Sequence, residues 1–405
     1  MRIVKRAAAF TAAAVLMLMS AVLVPSHISA GSADITTSGE QTVEELLEEN
    51  VNSQLSALDT GIFDKFIYSL DERSHKIFSA ATFGDKLRTV VSGGLSTDYE
   101  GVFGVALAVF FDEALGLLPV LASICALAIF SSLLSFAKAD GSKSGDTLHF
   151  VCYIAIVLVV LNVIFQLVTG LTAAIDTITQ FMSLVFPLIL TLMTASGSAV
   201  SGGIYQPAVA LLCSSVAGIF SAVIVPLFTA SIILNVVANF TDNVRVAKFA
   251  GVFKSTGQWI TGIAFTVFLA FLSIQGIQAS TYDSVSVRAV KYAIGNSVPI
   301  VGGYIKDGFN LILGSTVLIK NAVGVTGLLL LLSYVIAPVI NILVCILGFK
   351  LAAAVIEPLS DAKTPNFLHS VSQSFGLLMA AFLAIAFMFF VTVMLMIMTT
   401  NSVLL

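Results

Sequence analysis

The chain has little charge. Asp, Glu, Lys and Arg make up 10% of its 405 residues, where soluble domains carry about a quarter. Together with 58% hydrophobic residues and a mean hydropathy of +1.03, that shortage excludes an ordinary soluble domain and points to a polytopic membrane protein. Chemistry-bearing side chains are equally sparse. Cys125, Cys152, Cys213 and Cys345 all stand in apolar runs and none belongs to a CxxC pair, while His27, His75, His149 and His369 are scattered. No metal-ligand spacing, nucleophile with base, or Ser/Lys, Asp/Asp or His/Glu set inside the apolar runs can be recognised. The expectation is a protein that is not an enzyme and uses no cofactor.

What charge there is falls unevenly. Residues 34–113 hold 15 acids against 5 Lys/Arg, and residues 114–405 hold 8 acids against 11. At the N-terminus Arg2, Lys5 and Arg6 precede an apolar run and a small-residue stretch, so residues 1–30 read as a secretory signal peptide that delivers the next segment outside the cytoplasm. Residues 34–112 then form an acidic exported helical segment. Val43, Leu47, Val51, Leu55 and Leu58 recur at helical spacing, as do Phe63, Phe66, Ile67 and Leu70, and their apolar faces need a surface to rest on. Glu44, Glu45, Glu48 and Glu49 lie off the first stripe, as a solvated face or a docking face for a basic partner.

Residues 114–405 read as a multi-span transmembrane domain, all-α, with about seven or eight transmembrane helices and interfacial amphipathic helices. Expected spans are 114–136, 148–172, 181–200, a long run over 207–240, then 260–279, 325–349 and 376–399. Asp112 and Glu113 are placed at headgroup level, at the outer end of the first. The 207–240 run is divided near Ser221 to Pro226, because a single crossing there would put the basic segment after it outside. In that segment Arg245, Lys248 and Lys254 mark an interfacial basic helix drawn to anionic lipid, with Trp259 as an interface anchor.

The least regular stretch is 285–324, expected on the exported side. Arg288 and Lys291 lie on an amphipathic helix ending near Gly295, and Pro299, Gly302 and Gly303 interrupt it before Lys306 and Asp307. These residues are the candidate packing or pore-lining break, since irregular backbone is tolerated in a membrane only against protein or a water-filled cavity. A faint echo of the pattern, Pro beside a Gly-rich break, occurs over 186–203. Two function classes remain from the residues themselves. One is a secondary transporter or channel for a small solute, with Asp176, Gln206, Asn235, Asn310, Lys320 and Asn341 as intramembrane polar groups. The other is a membrane scaffold holding a multiprotein assembly.

Several stretches tip this balance: FPLILTLMTASGS, the basic VRVAKFAGVFKSTGQW followed by FTVFLAFLSIQG, RAVKYAIGNSVPIVGGYIKDG, and LIKNAVG. With the signal-like start and the acidic exported segment, they resemble the stage III sporulation protein AE family of endospore-forming bacteria over essentially residues 40 to 400. The resemblance implies a multipass component of the mother-cell sporulation complex, in the membrane around the engulfed forespore. Its implied partners are the other stage III sporulation A proteins, indirectly the forespore stage II sporulation protein Q, and the lipid bilayer, with no nucleic acid. The implied role is to support a channel or feeding apparatus needed for endospore development. The family carries no catalytic residues to transfer.

Overall fold

The computed structural model describes residues 43–57, 61–69, 82–91, 99–136, 144–241, 244–297, 302–359 and 363–401. The signal peptide expected over 1–30 lies outside them, as does Pro299. All the elements found are helical. Three short helices, α1 (Val43–Ala57), α2 (Gly61–Ser69) and α3 (Phe83–Val91), precede α4 (Tyr99–Phe136) and α5 (Ser144–Ala195). Next, α6 starts as Ala199–Ala210, passes through π-helical turns at Leu211–Val216 and Phe220–Ile224, and finishes as Val225–Thr241. The chain continues through α7 (Val244–Ser297), α8 (Gly302–Ile356) and α9 (Lys363–Asn401).

Six of these, α4 to α9, are long and apolar enough to cross a membrane. Helix α9 packs against α5, α6, α7 and α8 and is the most enclosed, its most apolar stretch 61% buried against 17% for α4 and for α7. In the close-packed interior Phe375 of α9 meets Phe349 of α8 edge to face at 5.4 Å, Phe367 meets Tyr153 of α5 at 6.0 Å and Phe389 stacks on Phe186 of α5 at 6.2 Å. The outer helices face away with Phe111, Leu115, Leu118, Phe130 and Leu133 on α4 and Phe249, Val252, Trp259, Ile263 and Val267 on α7. So much exposed apolar surface is stable only in lipid.

The crossing helices differ from the expected spans in two places. Residues 148–172 and 181–200 were expected as separate spans, yet α5 runs unbroken through both, 52 residues or about 78 Å. The reason is local: the intervening AAIDTITQ contains neither Gly nor Pro, and only span length, about 20 residues per crossing, argued for a division there. Nor does the 207–240 run divide near Ser221 to Pro226. Backbone angles at its junctions stay in the right-handed helical region, and the helix widens into a π turn over Phe220–Ile224 just ahead of Pro226. A π turn absorbs the hydrogen bond that a proline cannot make, so no turn is needed.

The short helices cover one side of the bundle. Val51 and Leu55 of α1 are buried against α8, and Gln54 donates to Ser315 Oγ at 3.0 Å and accepts from Thr316 Oγ1 at 3.3 Å. Glu45 and Glu49 remain exposed. Helix α3 begins with a capping arrangement in TFGD, where Asp85 N–H donates to Thr82 Oγ1 at 3.1 Å and Thr82 Oγ1 donates to Asp85 Oδ2 at 2.6 Å. Asp64 of α2 accepts from Phe83 N–H at 2.9 Å, and Phe63 stacks on Phe83 at 4.5 Å. Those contacts tie α2 to α3, and their apolar faces rest on the transmembrane helices as the stripes required.

Candidate functional site: a polar cavity inside the bundle

Between α4, α5 and α8 the packing opens into a cavity of about 610 Å³. Three features of the sequence make room for it. Gly116 and Gly170 present no side chain where two helices face each other, a Cβ on either would meet nothing within 4 Å, and Pro338 interrupts the hydrogen-bond ladder of α8 beside it. The polar lining is unusual for so apolar a chain: Glu113 from α4, Gln166, Thr177 and Gln180 from α5, and Tyr334 and Asn341 from α8. At its centre Asn341 Nδ2 donates to Glu113 Oε2 at 3.0 Å. Val344 and Cys345 lie one turn further along α8.

Glu113 faces the cavity while neighbouring Asp112 faces outward, and it lies nine residues past Gly104, where the apolar stretch of α4 begins. An acid in FFDEALG reads from sequence as the polar edge of a span; the helix itself extends back past it to Tyr99. The one signal available was Asn341, already an intramembrane polar candidate, which needs a partner in hydrocarbon. At the end marked by Gln180 and Tyr334, α2 projects Phe66 into the lining, and Phe66 stacks on Phe181 at 5.3 Å. An aromatic from the acidic segment thus completes part of the cavity wall.

The break over 285–324 sits elsewhere. Gly295 lies in the last turn of α7, and Gly302 and Gly303 open α8 as its first two residues instead of forming the turn. Lys306 and Asp307 are exposed on the first turns of α8. Neither they nor Gly295, Gly302 or Gly303 line the cavity. Arg288, Lys291 and Lys306 instead cluster near the tip of the α7–α8 hairpin, where partial burial and the two neighbouring positive charges hold the Lys291 ammonium below the usual lysine range. The basic residues of the expected interfacial helix, Arg245, Lys248 and Lys254, stand on the first three turns of α7, which continues into the apolar span without a break. Arg245 and Lys248 are exposed.

Two of the other polar candidates, Lys320 and Asp176, have structural partners, whereas Oδ1 of Asn310 is buried without a hydrogen bond. Lys320 is fully buried, and its Nζ donates to the backbone carbonyls of Ile397 at 2.9 Å and Met396 at 3.4 Å, in the last turns of α9. A cation there faces the negative end of the helix dipole. Asp176 accepts from Ser221 Oγ at 3.4 Å across the α5–α6 contact, outside the cavity. Sequence reasoning passed over Asp283, which is 1% exposed and accepts from Val200 N–H and Ser201 N–H, each at 3.0 Å. Its carboxylate caps the N-terminus of α6 from α7, a role normally taken by the residue just ahead of the helix; here Ser198 makes no such bond. Among the described residues no group of His, Cys, Asp and Glu could hold a metal ion.

No solved structure matches the chain. Stage III sporulation protein AE of Bacillus subtilis (strain 168) is 26% identical to it over 375 residues, covering 92% of this chain and 93% of the relative's. The family model for Stage III sporulation protein AE matches residues 81–400, a stretch holding all six membrane-crossing helices and every residue of the cavity except Phe66. The chain belongs to the stage III sporulation protein AE family.

Proposed function

We propose that this membrane protein of a sporulation family is a non-enzymatic, multipass component of the mother-cell sporulation complex, and that its cavity forms part of the solute path of a channel or feeding apparatus. The observation that carries the reading is the cavity itself: a chain with 10% charged residues gathers a carboxylate, an asparagine and two glutamines around about 610 Å³ inside its membrane-crossing helices. Buried polar groups in hydrocarbon are costly, so a cluster with room beside it favours a water-filled site. A secondary transporter or channel for a small solute is the second reading. The cavity's size, within the range that holds one small molecule, favours it.

Positive-inside charge bias supports one orientation. Let each of the six apolar helices cross once, with α1 to α3 exported. Joining the two expected spans within α5 removes one crossing, and leaving 207–240 undivided removes another. The basic start of α7 stays cytoplasmic because the two revisions cancel. The α7–α8 hairpin, with Arg288, Lys291 and Lys306, then faces the intermembrane space as a docking surface for the sister stage III sporulation A proteins and, through them, for stage II sporulation protein Q.

A plug tests the path. In a sporulating host whose own family member is replaced by this chain, Gly170→Leu should leave the protein at its normal level in the membrane and reduce heat-resistant spores at least tenfold, because Gly170 lines the cavity and a Cβ there meets nothing within 4 Å, so a larger side chain has room to fill it. Full sporulation in that strain would remove the cavity from the solute path. Labelling of Ser297→Cys from outside and of Ser255→Cys only from inside checks the orientation.

A further inference from the structure

The tip of the α7–α8 hairpin carries apolar side chains that its own fold does not bury. Val287 of α7 packs against Leu313 of α8, with Phe309 beside them, and this contact holds the two legs together. On the side of α7 away from Val287 stand Val285, Arg288 and Tyr292, three and four residues apart and therefore on one face. Tyr292 is 72% exposed, and Val290 and, on α8, Ile305 are exposed as well. Among them lie Arg288, Lys291 and Lys306, near enough that the charges of the other two act on Lys291. From 285 to 308 the sequence holds one acid, Asp307.

Height separates this tip from the membrane that its own helices cross. The span expected in α7 ends at 279, and α7 continues unbroken to Ser297. Measured along the helix, Arg288 lies about 13 Å beyond 279 and Tyr292 about 20 Å. The headgroups on one side of a bilayer occupy only about 5–8 Å. The exposed groups at the tip therefore stand outside the boundary of their own membrane.

We propose that the hairpin tip binds the surface of a second, facing bilayer that contains anionic phospholipid, with Arg288, Lys291 and Lys306 on the phosphates and Tyr292 and Ile305 at the boundary of headgroups and acyl chains. Charge complementarity selects this occupant, because three basic side chains outnumber one acid and gain most at a surface of negative potential. An acidic protein face would match the charges alone, whereas a bilayer also takes interspersed apolar side chains without a shaped pocket. Long basic side chains cover apolar surface with their stems while the charged ends reach phosphate. The inference goes beyond the protein docking proposed for this hairpin and stands without it.

The test uses the purified full chain in nanodiscs of phosphatidylcholine, floated with vesicles of phosphatidylcholine alone or mixed with phosphatidylglycerol. Flotation is expected with the mixed vesicles and not with the neutral ones, and it should fall as salt is raised. Changing Arg288, Lys291 and Lys306 to Gln one after another should weaken binding about fivefold at each step. Tyr292→Ala should weaken it several-fold without altering its salt dependence. Arg245→Gln combined with Lys248→Gln, exposed at the opposite end of α7, should leave binding unchanged.

Flotation that ignores phosphatidylglycerol, whether with both kinds of vesicle or with neither, overturns the proposal and leaves the hairpin to protein partners. So does binding that survives all three substitutions at the tip. Binding lost in the Arg245 and Lys248 variant but kept in the tip variants would assign the lipid contact to the start of α7 and overturn it equally.

Discussion

Two tight connections look alike in sequence and behave in opposite ways. SGSAV between α5 and α6, and NSVPIVGG between α7 and α8, each combine small residues with a nearby proline in an apolar setting. The first is sealed into the bundle. Ser198 N–H bonds Met193 C=O at 2.9 Å and Gly197 N–H bonds Thr194 C=O at 3.1 Å, the Schellman pattern, with Gly197 at φ +85°. Ser196 and Ser198 are fully buried, and Asp283 closes the start of α6. Gly197 packs against Val287 and Leu313, which places the first turn about 15 Å below the end of α7 at Ser297. The end of α7 therefore extends past the first turn, and Arg288 on it and Lys306 and Asp307 at the start of α8 are exposed. A Gly-rich break marks where a helix stops; whether it is core or surface depends on whether a distant side chain arrives to satisfy its backbone.

The sharpest way to break the comparison is to remove that side chain. Asp283→Ala leaves the N–H groups of Val200 and Ser201 buried without their acceptor, and should cost about 3 kcal/mol. Asp283→Asn retains one acceptor oxygen and should cost roughly half as much. Unfolding of the purified protein in mixed micelles with rising denaturing detergent measures both. Equal stability of Asp283→Ala and the parent would mean that the first turn is held without its cap.

Next in size is the turn glycine. Gly197→Ala meets two penalties: a left-handed backbone costing roughly 1–2 kcal/mol, and a Cβ placed 2.8 Å from Val287 Cγ2. Adding Val287→Ala should relieve the contact and leave the backbone term, so the double variant separates them. At the projecting hairpin the sign reverses. A Cβ on Gly308 of α8 meets nothing within 4 Å, and Gly308→Ala should stabilise by about 0.5–1 kcal/mol through helix propensity alone.

Sequence made the architecture legible wherever one residue type signalled by itself. Low charge and long apolar runs marked the membrane helices, and Val51, Leu55, Phe63 and Ile67 marked the buried faces of α1 and α2. Such signals are local, and each helix carries its own. The division into spans failed in two places: over AAIDTITQ it leaned on length, though nothing there stops a helix, and over 207–240 it leaned on the side assigned to the basic segment, though Pro226 is accommodated by a π turn. The candidate site was legible only in halves. Asn341 stood out as a polar group in an apolar run, but its partner Glu113 is 228 positions away and resembled a span boundary. Asp283, likewise, sits 82 and 83 residues from the amides it caps. Pairings at such range are fixed by tertiary packing, and nothing in a local window records them.

The smallest effect tests the charge of the projecting hairpin. Burial first, then Lys306 and Arg288, lowers the pKa of Lys291 from 10.5. A lysine whose folded pKa lies below its unfolded value binds fewer protons folded than unfolded within that window, so it costs stability below the folded pKa. That cost is relieved as pH rises through the folded pKa toward 10.5. Lys306→Gln removes one of the two repulsions and should raise the pKa of Lys291 part of the way back, leaving the burial contribution in place. The neutral amine is the form that acylates. At pH 9, then, acetylation of Lys291 followed by mass spectrometry should slow in Lys306→Gln while acetylation of Lys254, at the far end of α7, keeps its rate. If both lysines respond alike, the hairpin tip does not bring Lys306 to Lys291, and the projecting connection lacks the concentrated positive charge on which its docking role depends.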